Sequence, residues 1–186
     1  MLSMLIAIDN GYQACMMAPT EILATQHYVG LQDWVNSLGL RIELLTGSTP
    51  KKKRELLLKD LAEGNIHILV GTHALIEQDV QYLQLGLVVI DEQHRFGVAQ
   101  RAKLWKKGQS LPHILVMTAT PIPRTLAMTV YGDLEVSVID EMPAGRKPIV
   151  TVHRQESMRP AIMDFIKNEI AKGRQIYYVF PLIEDS

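Results

Sequence analysis

Four short apolar runs in this chain stop abruptly at small or polar residues. They end at Ala18-Pro19-Thr20-Glu21, at Gly71-Thr72-His73, at Asp91-Glu92-Gln93-His94 and at Thr118-Ala119-Thr120. A run such as Leu87-Val88-Val89-Ile90 has no polar alternate, so both of its faces must be buried. At that length its Val and Ile favour a strand. Longer stretches with helical spacing lie between the runs. Strands alternating with helices predict a mostly parallel α/β sheet. Such sheets bind ligands beyond the carboxyl ends of their strands. The four polar endings therefore predict one ligand edge, where hydroxyls, helix N-termini and backbone N–H groups suit phosphate contacts.

Along the chain, residues 1–8 read as the end of a buried helix, stopped by Asn10-Gly11. Residues 13–18 read as a strand ended by Pro19. Residues 20–38 carry Ile22, Leu23, His27, Leu31, Trp34, Val35 and Leu38 at helical spacing, with Gly39 past the end. Residues 41–45 form a short strand leading to Thr46-Gly47-Ser48. Thr49-Pro50 reads as cap and first position of the next helix, closed by Gly64. Strands follow at 66–70, 87–90 and 114–117, with a short helix after the first and a helix at 98–107.

The composition shifts at Pro143-Ala144-Gly145-Arg146-Lys147-Pro148, which reads as a linker. Beyond it come a strand at 149–152, a helix over about 158–172 and a strand at 175–180. This divides the chain into a first domain over 1–142, a linker over 143–148 and a second domain over 149–186. About 40 residues cannot build a complete α/β domain, so the second is expected to be only a start.

The bulk properties exclude some classes. A formal net charge of -1 over 186 residues is not that of an overall basic nucleic-acid protein, although a local basic groove remains compatible with it. One cysteine, Cys15, excludes an intrachain disulfide, and its apolar setting predicts a buried inert thiol. The apolar N-terminus lacks a basic flank and a cleavage pattern. No segment reaches the ~20 apolar residues that span a bilayer, so a cytoplasmic protein is expected.

The chemistry concentrates at Asp91-Glu92. In phosphate-loop NTPases an Asp at a strand end holds Mg²⁺, and the next carboxylate is suited to polarise the attacking water. Taken alone, the pair also fits a helix N-cap with a charged first turn. A metal site built from Asp91, Glu92 and His94 with His73 or His113 is a further reading, but their alternation does not put them on one face. Lys51-Lys52-Lys53-Arg54 fits a solvated first turn or a phosphate grip. Trp34 and Trp105 are expected to pack rather than to stack on bases. Met4, Met16, Met17 and Met117 are expected to fill the core. His27, His67 and His153 are expected to be ordinary packed or surface histidines.

The ordered set of segments resembles the superfamily 2 helicases, and within them the RecG family. The resemblance rests on Asp91-Glu92-Gln93-His94 with Arg95-Phe96-Gly97-Val98, and on Thr118-Ala119-Thr120-Pro121 with Ile122-Pro123-Arg124-Thr125. Ala18-Pro19-Thr20-Glu21-Ile22-Leu23-Ala24, Thr46-Gly47-Ser48, Gly71-Thr72-His73-Ala74-Leu75 and Tyr178-Val179-Phe180-Pro181-Leu182-Ile183 extend it over essentially the whole chain. The related transcription-repair coupling translocases share part of this set. Gln93-His94, Gln100-Arg101 and Tyr131-Gly132-Asp133-Leu134 favour RecG.

The resemblance implies a RecA-like parallel sheet with flanking helices, incomplete at its start, followed by the start of a second RecA-like domain. It implies an ATP-dependent DNA helicase of recombination and repair that uses ATP and Mg²⁺. It assigns Asp91 to Mg²⁺ on ATP and Glu92 to the attacking water as the catalytic pair. Gln93, His94, Thr118 and Thr120 are assigned to coupling. Thr20, Gly47, Ser48, Thr72 and His73 are assigned to the DNA backbone. The implied partner is branched DNA, with no membrane and a monomeric full-length protein. One departure stands out: the phosphate-cradling Gly-x-x-x-x-Gly-Lys-Ser/Thr is missing, because no Gly-Lys pair occurs in the sequence. The family's wedge domain and arginine finger are also missing. An internal piece that cannot hydrolyse ATP by itself is therefore expected. The contrasting reading is a non-catalytic DNA-binding or inert remnant.

Overall fold

The computed structural model describes residues 1–92, 111–119 and 135–179. Two compact units divide between Leu134 and Glu135.

Among its described residues the first unit has five parallel strands: β1 (Gln13–Met17), β2 (Ile42–Leu45), β3 (Ile68–Gly71), β4 (Leu85–Ile90) and β5 (His113–Val116). Their order in the sheet is β2-β3-β1-β4-β5. Every pairing is parallel, as the continuous apolar runs require. The period of two along β1 sends Ala14 and Met16 to one face, Cys15 and Met17 to the other.

Each face has its own helices. Helix α1 (Leu2–Asp9) and helix α2 (Glu21–Ser37) cover the face of Ala14, Met16, Ile68 and Val70. Helix α3 (Lys51–Ala62) covers the opposite face through Leu57 and Leu61, together with the 3₁₀ turn His73–Ile76. Thr20 caps α2, its hydroxyl accepting the Leu23 N–H at 3.3 Å, and Glu21 in the first turn suits the helix dipole. Gly39 and Gly64 take positive φ just past α2 and α3, as their places in the sequence predict.

A buried amide closes the end of the sheet opposite the strands' carboxyl ends. Gln13 is 6% exposed. Its Nε2 donates to the carbonyls of Leu61 at 2.9 Å and Ile66 at 2.8 Å, and its Oε1 accepts the Gln84 N–H at 3.1 Å. One side chain thus ties the start of β1 to the end of α3 and to the approaches of β3 and β4.

Several expectations need correction. α1 is not a buried helix: Met4 is its buried residue, while Leu2 and Ile6 are exposed. Thr49 is not the cap of α3. Its hydroxyl accepts the Thr46 N–H within the preceding turn, and Pro50 takes the cap position. Trp34 is 66% exposed, because Ala24 and Val35 define the inward stripe of α2 and Trp34 lies about 100° round from Val35. The expected helix at 98–107 and Trp105 lie outside the described residues.

The second unit contains a short 3₁₀ turn (Glu156–Met158) and helix α4 (Arg159–Ala171). Glu169 is its buried charge and pairs with Lys172 and Arg174. Residues 149–152 do not form a strand, nor do 175–179. The physical reason is that a strand exists through its neighbours, and neither segment is part of a strand ladder among the described residues. Ile149 and Val150 are exposed. Phe180 lies outside the described residues. No described helix is long and apolar enough to cross a membrane.

Candidate functional site

The strand register aligns all five carboxyl ends. Leu45, Gly71, Met17, Ile90 and Val116 are successive Cα partners across the sheet. The ladder runs one residue further. Thr72 N–H donates to Leu45 O at 3.4 Å, Ala18 N–H to Gly71 O at 2.9 Å, Asp91 N–H to Met17 O at 2.9 Å and Met117 N–H to Ile90 O at 2.8 Å. Beyond this row come Thr46-Gly47-Ser48, Thr72-His73, Pro19-Thr20, Asp91-Glu92 and Thr118. The single polar edge expected from the sequence is therefore present.

At the β2–β3–β1 end the row presents a cluster of hydroxyls. Thr46 and Ser48 share a hydrogen bond at 3.0 Å. Glu21 reaches across from α2. Its Oε1 accepts the Ser48 N–H at 3.1 Å and its Oε2 accepts the Ser48 hydroxyl at 2.7 Å. The Ser48 hydroxyl foremost, with the N–H groups of Ser48 and Gly47, holds the Glu21 carboxyl below its ordinary value. Thr20, Gly47, Ser48 and His73 are exposed. Thr72 is 2% exposed, and its hydroxyl has no hydrogen-bond partner among the described residues.

At the β4–β5 end stand the carboxylates. Asp91 Oδ1 accepts the Glu92 N–H at 2.9 Å, and Oδ2 lies 2.7 Å from His27 Nε2. The side chains of His27 and Asp91 are 25% and 19% exposed. Glu92 has φ 51°, a left-handed backbone that side chains rarely adopt. It turns the chain sharply at the strand end. Thr118 follows β5, the neighbour of β4. Gln93, His94 and Thr120 lie outside the described residues.

A divalent cation fits here in one way. Among the described residues no three His, Cys, Asp or Glu side chains gather as a cage. A lone carboxylate on a strand end suits Mg²⁺ that arrives with substrate phosphates and keeps most of its waters. Asp91 retains lone pairs for such a shell after its two hydrogen bonds.

Sequence reasoning missed two residues. His27, expected to be an ordinary histidine, meets Asp91 across 64 positions. Its one signal was its place seven residues after Thr20, on the inward side of α2. Glu21 was read only as part of a motif, and nothing local announced its reach to Ser48. Arg54 is engaged by Asp79 and Glu77 and is not a free phosphate grip, whereas Lys51, Lys52 and Lys53 are exposed.

Comparison with known proteins gives a consistent picture. The DEAD/DEAH box helicase family model matches residues 1–129. The chain is 58% identical over 184 residues to the ATP-dependent DNA helicase RecG of Synechocystis, covering 99% of this chain and 22% of that protein. It is 54% identical over 180 residues to RecG of Bacillus subtilis, covering 97% and 26%. A solved structure of RecG bound to a three-way DNA junction superposes with a TM-score of 0.78 at 42% identity, over 98% of this chain and 25% of that one. A DNA-bound structure of the helicase MrfA, at 20% identity and TM-score 0.51, shares the fold alone. The chain spans about a quarter of the length of its RecG relatives.

Proposed function

Because this chain belongs to the DEAD/DEAH box helicase family, we propose that it supplies the nucleotide-side carboxylates and the DNA-side turns of a RecG-type ATP-dependent DNA helicase, a motor of recombination and repair. The observation that carries this reading is the common row of strand ends. Asp91-Glu92 leave β4 and Gly47-Ser48 leave β2, three strand spacings away in one rigid sheet, a separation of about 14 Å. Chemistry at one end and backbone contacts at the other thus share one edge.

In this reading Asp91 joins the shell of the Mg²⁺ that accompanies ATP. When bound, that ion neutralises charge on the transferring phosphoryl group. Glu92, aimed by its left-handed backbone, orients the attacking water and accepts its proton. Gln93, His94, Thr118 and Thr120 pass the state of the nucleotide to neighbouring parts of the motor. Thr20 and His73 offer hydroxyl and imidazole donors to DNA phosphates, Gly47 and Ser48 join them as Glu21 releases their N–H and hydroxyl groups, and Thr72 shapes the turn beneath them. Branched DNA is the partner, by analogy with the junction held by the RecG structure.

The Gly-x-x-x-x-Gly-Lys-Ser/Thr loop does not occur in this sequence, and its backbone nest and lysine carry much of the charge stabilisation in this chemistry. This polypeptide by itself is therefore expected to turn over no ATP, with or without DNA. It should still bind junction DNA weakly, with affinity falling steeply as salt rises. A phosphate-release assay and anisotropy with a labelled three-way junction test both points. Clear turnover that Glu92→Gln abolishes would overturn the first, and salt-independent or absent binding the second.

A further inference from the structure

His27 stands between the two ends of the row. It sits two turns into α2, whose first turn carries Thr20 and Glu21. At 1.5 Å per residue, Glu21 and His27 are about 9 Å apart along one rigid helix. Glu21 grips Ser48 in the turn after β2, and His27 reaches Asp91 at the end of β4. The His27–Asp91 contact is shielded, unlike a solvated surface pair. Asp91 Oδ1 is already taken by the N–H of the next residue, so His27 fixes the second oxygen and hence the plane of the carboxylate.

We propose that His27 is a positioning residue: its Nε2 holds the Asp91 carboxylate in the orientation that receives the nucleotide's cation, and it ties that orientation to the helix that braces the DNA-side turn. The second half rests on the function proposed above; the first half does not. Partners of this kind, standing behind a metal-binding carboxylate, fix its rotamer and tune its basicity. Glutamine at position 27 places an amide N–H at about the reach of His Nε2 and so replaces the donor without the ring. Alanine removes it.

The experiment uses the whole chain, labelled for NMR, and needs no nucleotide. In the first arm the His27 ring nitrogens are compared in the wild type and in Asp91→Asn, and the Glu92 amide is followed by hydrogen exchange. The ring signals should change in Asp91→Asn. The Glu92 amide should exchange roughly five- to tenfold faster in His27→Ala, as expected when a hydrogen bond of ordinary net strength is freed to rotate away. His27→Gln should return it to within about twofold of the wild type. Unchanged ring signals, or equal exchange in the Ala and wild-type chains, would overturn the positioning role. So would equal losses in Ala and Gln, which would mark a packing effect.

In the second arm a three-way junction oligonucleotide is titrated while the Asp91 carboxyl carbon is observed. A shift in the wild type that disappears in His27→Ala supports the tie to the DNA side. DNA binding with no shift at Asp91 refutes the tie and leaves the proposed function standing. Failure of DNA to bind counts against the proposed function and against the tie that rests on it, while the first arm still decides the positioning role.

Discussion

Glu92 combines the chemistry of a carboxylate with a backbone that chirality disfavours. A left-handed residue costs an L side chain roughly 1–2 kcal/mol, and Gly escapes this while losing about 0.5–1 kcal/mol in chain entropy. Glu92→Gly should therefore unfold in urea at or slightly above the wild-type midpoint. The β-branched Glu92→Val fits a left-handed backbone worse than Glu does and should unfold below the wild-type midpoint. A Val variant as stable as the wild type would contradict the left-handed turn. Cys15 makes a different residue-scale prediction. Burial pushes its thiol up to about 12, so almost no thiolate forms at neutral pH. It should resist thiol reagents in the folded chain and react promptly in denaturant. At this scale the sequence was legible where a residue's neighbours in the chain decide its fate. Cys15, Met4, Met16 and Met17 are buried as their apolar settings predict. His27 was not legible, because its partner lies on another element and only the fold brings them together.

The elements explain both what the sequence revealed and what it hid. Strands β3 and β4 read clearly because burial on both faces leaves them without polar residues, and that signal is local; β1, β2 and β5 carry it with one polar residue each, Gln13, Glu43 and His113. Residues 149–152 carry a similar signal and form no strand, because pairing is not a property of one segment. Close packing between elements sets two predictions. A Cβ on Gly71 would lie 2.0 Å from the Leu45 carbonyl oxygen of the neighbouring strand. Gly71→Ala should therefore cost at or beyond the upper end of the ~1–3 kcal/mol that overpacking brings, read as a drop in the thermal midpoint. Gln13→Leu strips the buried carbonyls of Leu61 and Ile66 of a donor and should cost about 1–3 kcal/mol. The bridge from Glu21 to Ser48 adds a pH dependence. Because the folded carboxyl lies below its ordinary value of 4.5, the bridge contributes fully above that pH and is lost as pH falls through the lowered value. Protection of the Ser48 amide should therefore survive at pH 4.5 and fade in more acid solution. In Glu21→Gln the acid step should vanish.

For the whole molecule, the parallel α/β architecture and its polar edge could be read from four strand endings, and the register confirms that they share one row. The extent of the described second unit could not be read this way, since its helix is evident from spacing but its strands depend on partners. The family follows from the match over residues 1–129, and the motor function is the proposal built on it. Its most direct test replaces the matched segment of the Bacillus subtilis relative with this chain and measures DNA-stimulated ATP hydrolysis and junction unwinding by the hybrid. The motor function predicts a hybrid that hydrolyses ATP and unwinds the junction, and that loses about 10²–10⁴-fold in turnover on Glu92→Gln, the range expected for removal of a positioned base. A folded hybrid that binds the junction but neither hydrolyses ATP nor responds to Glu92→Gln would contradict it.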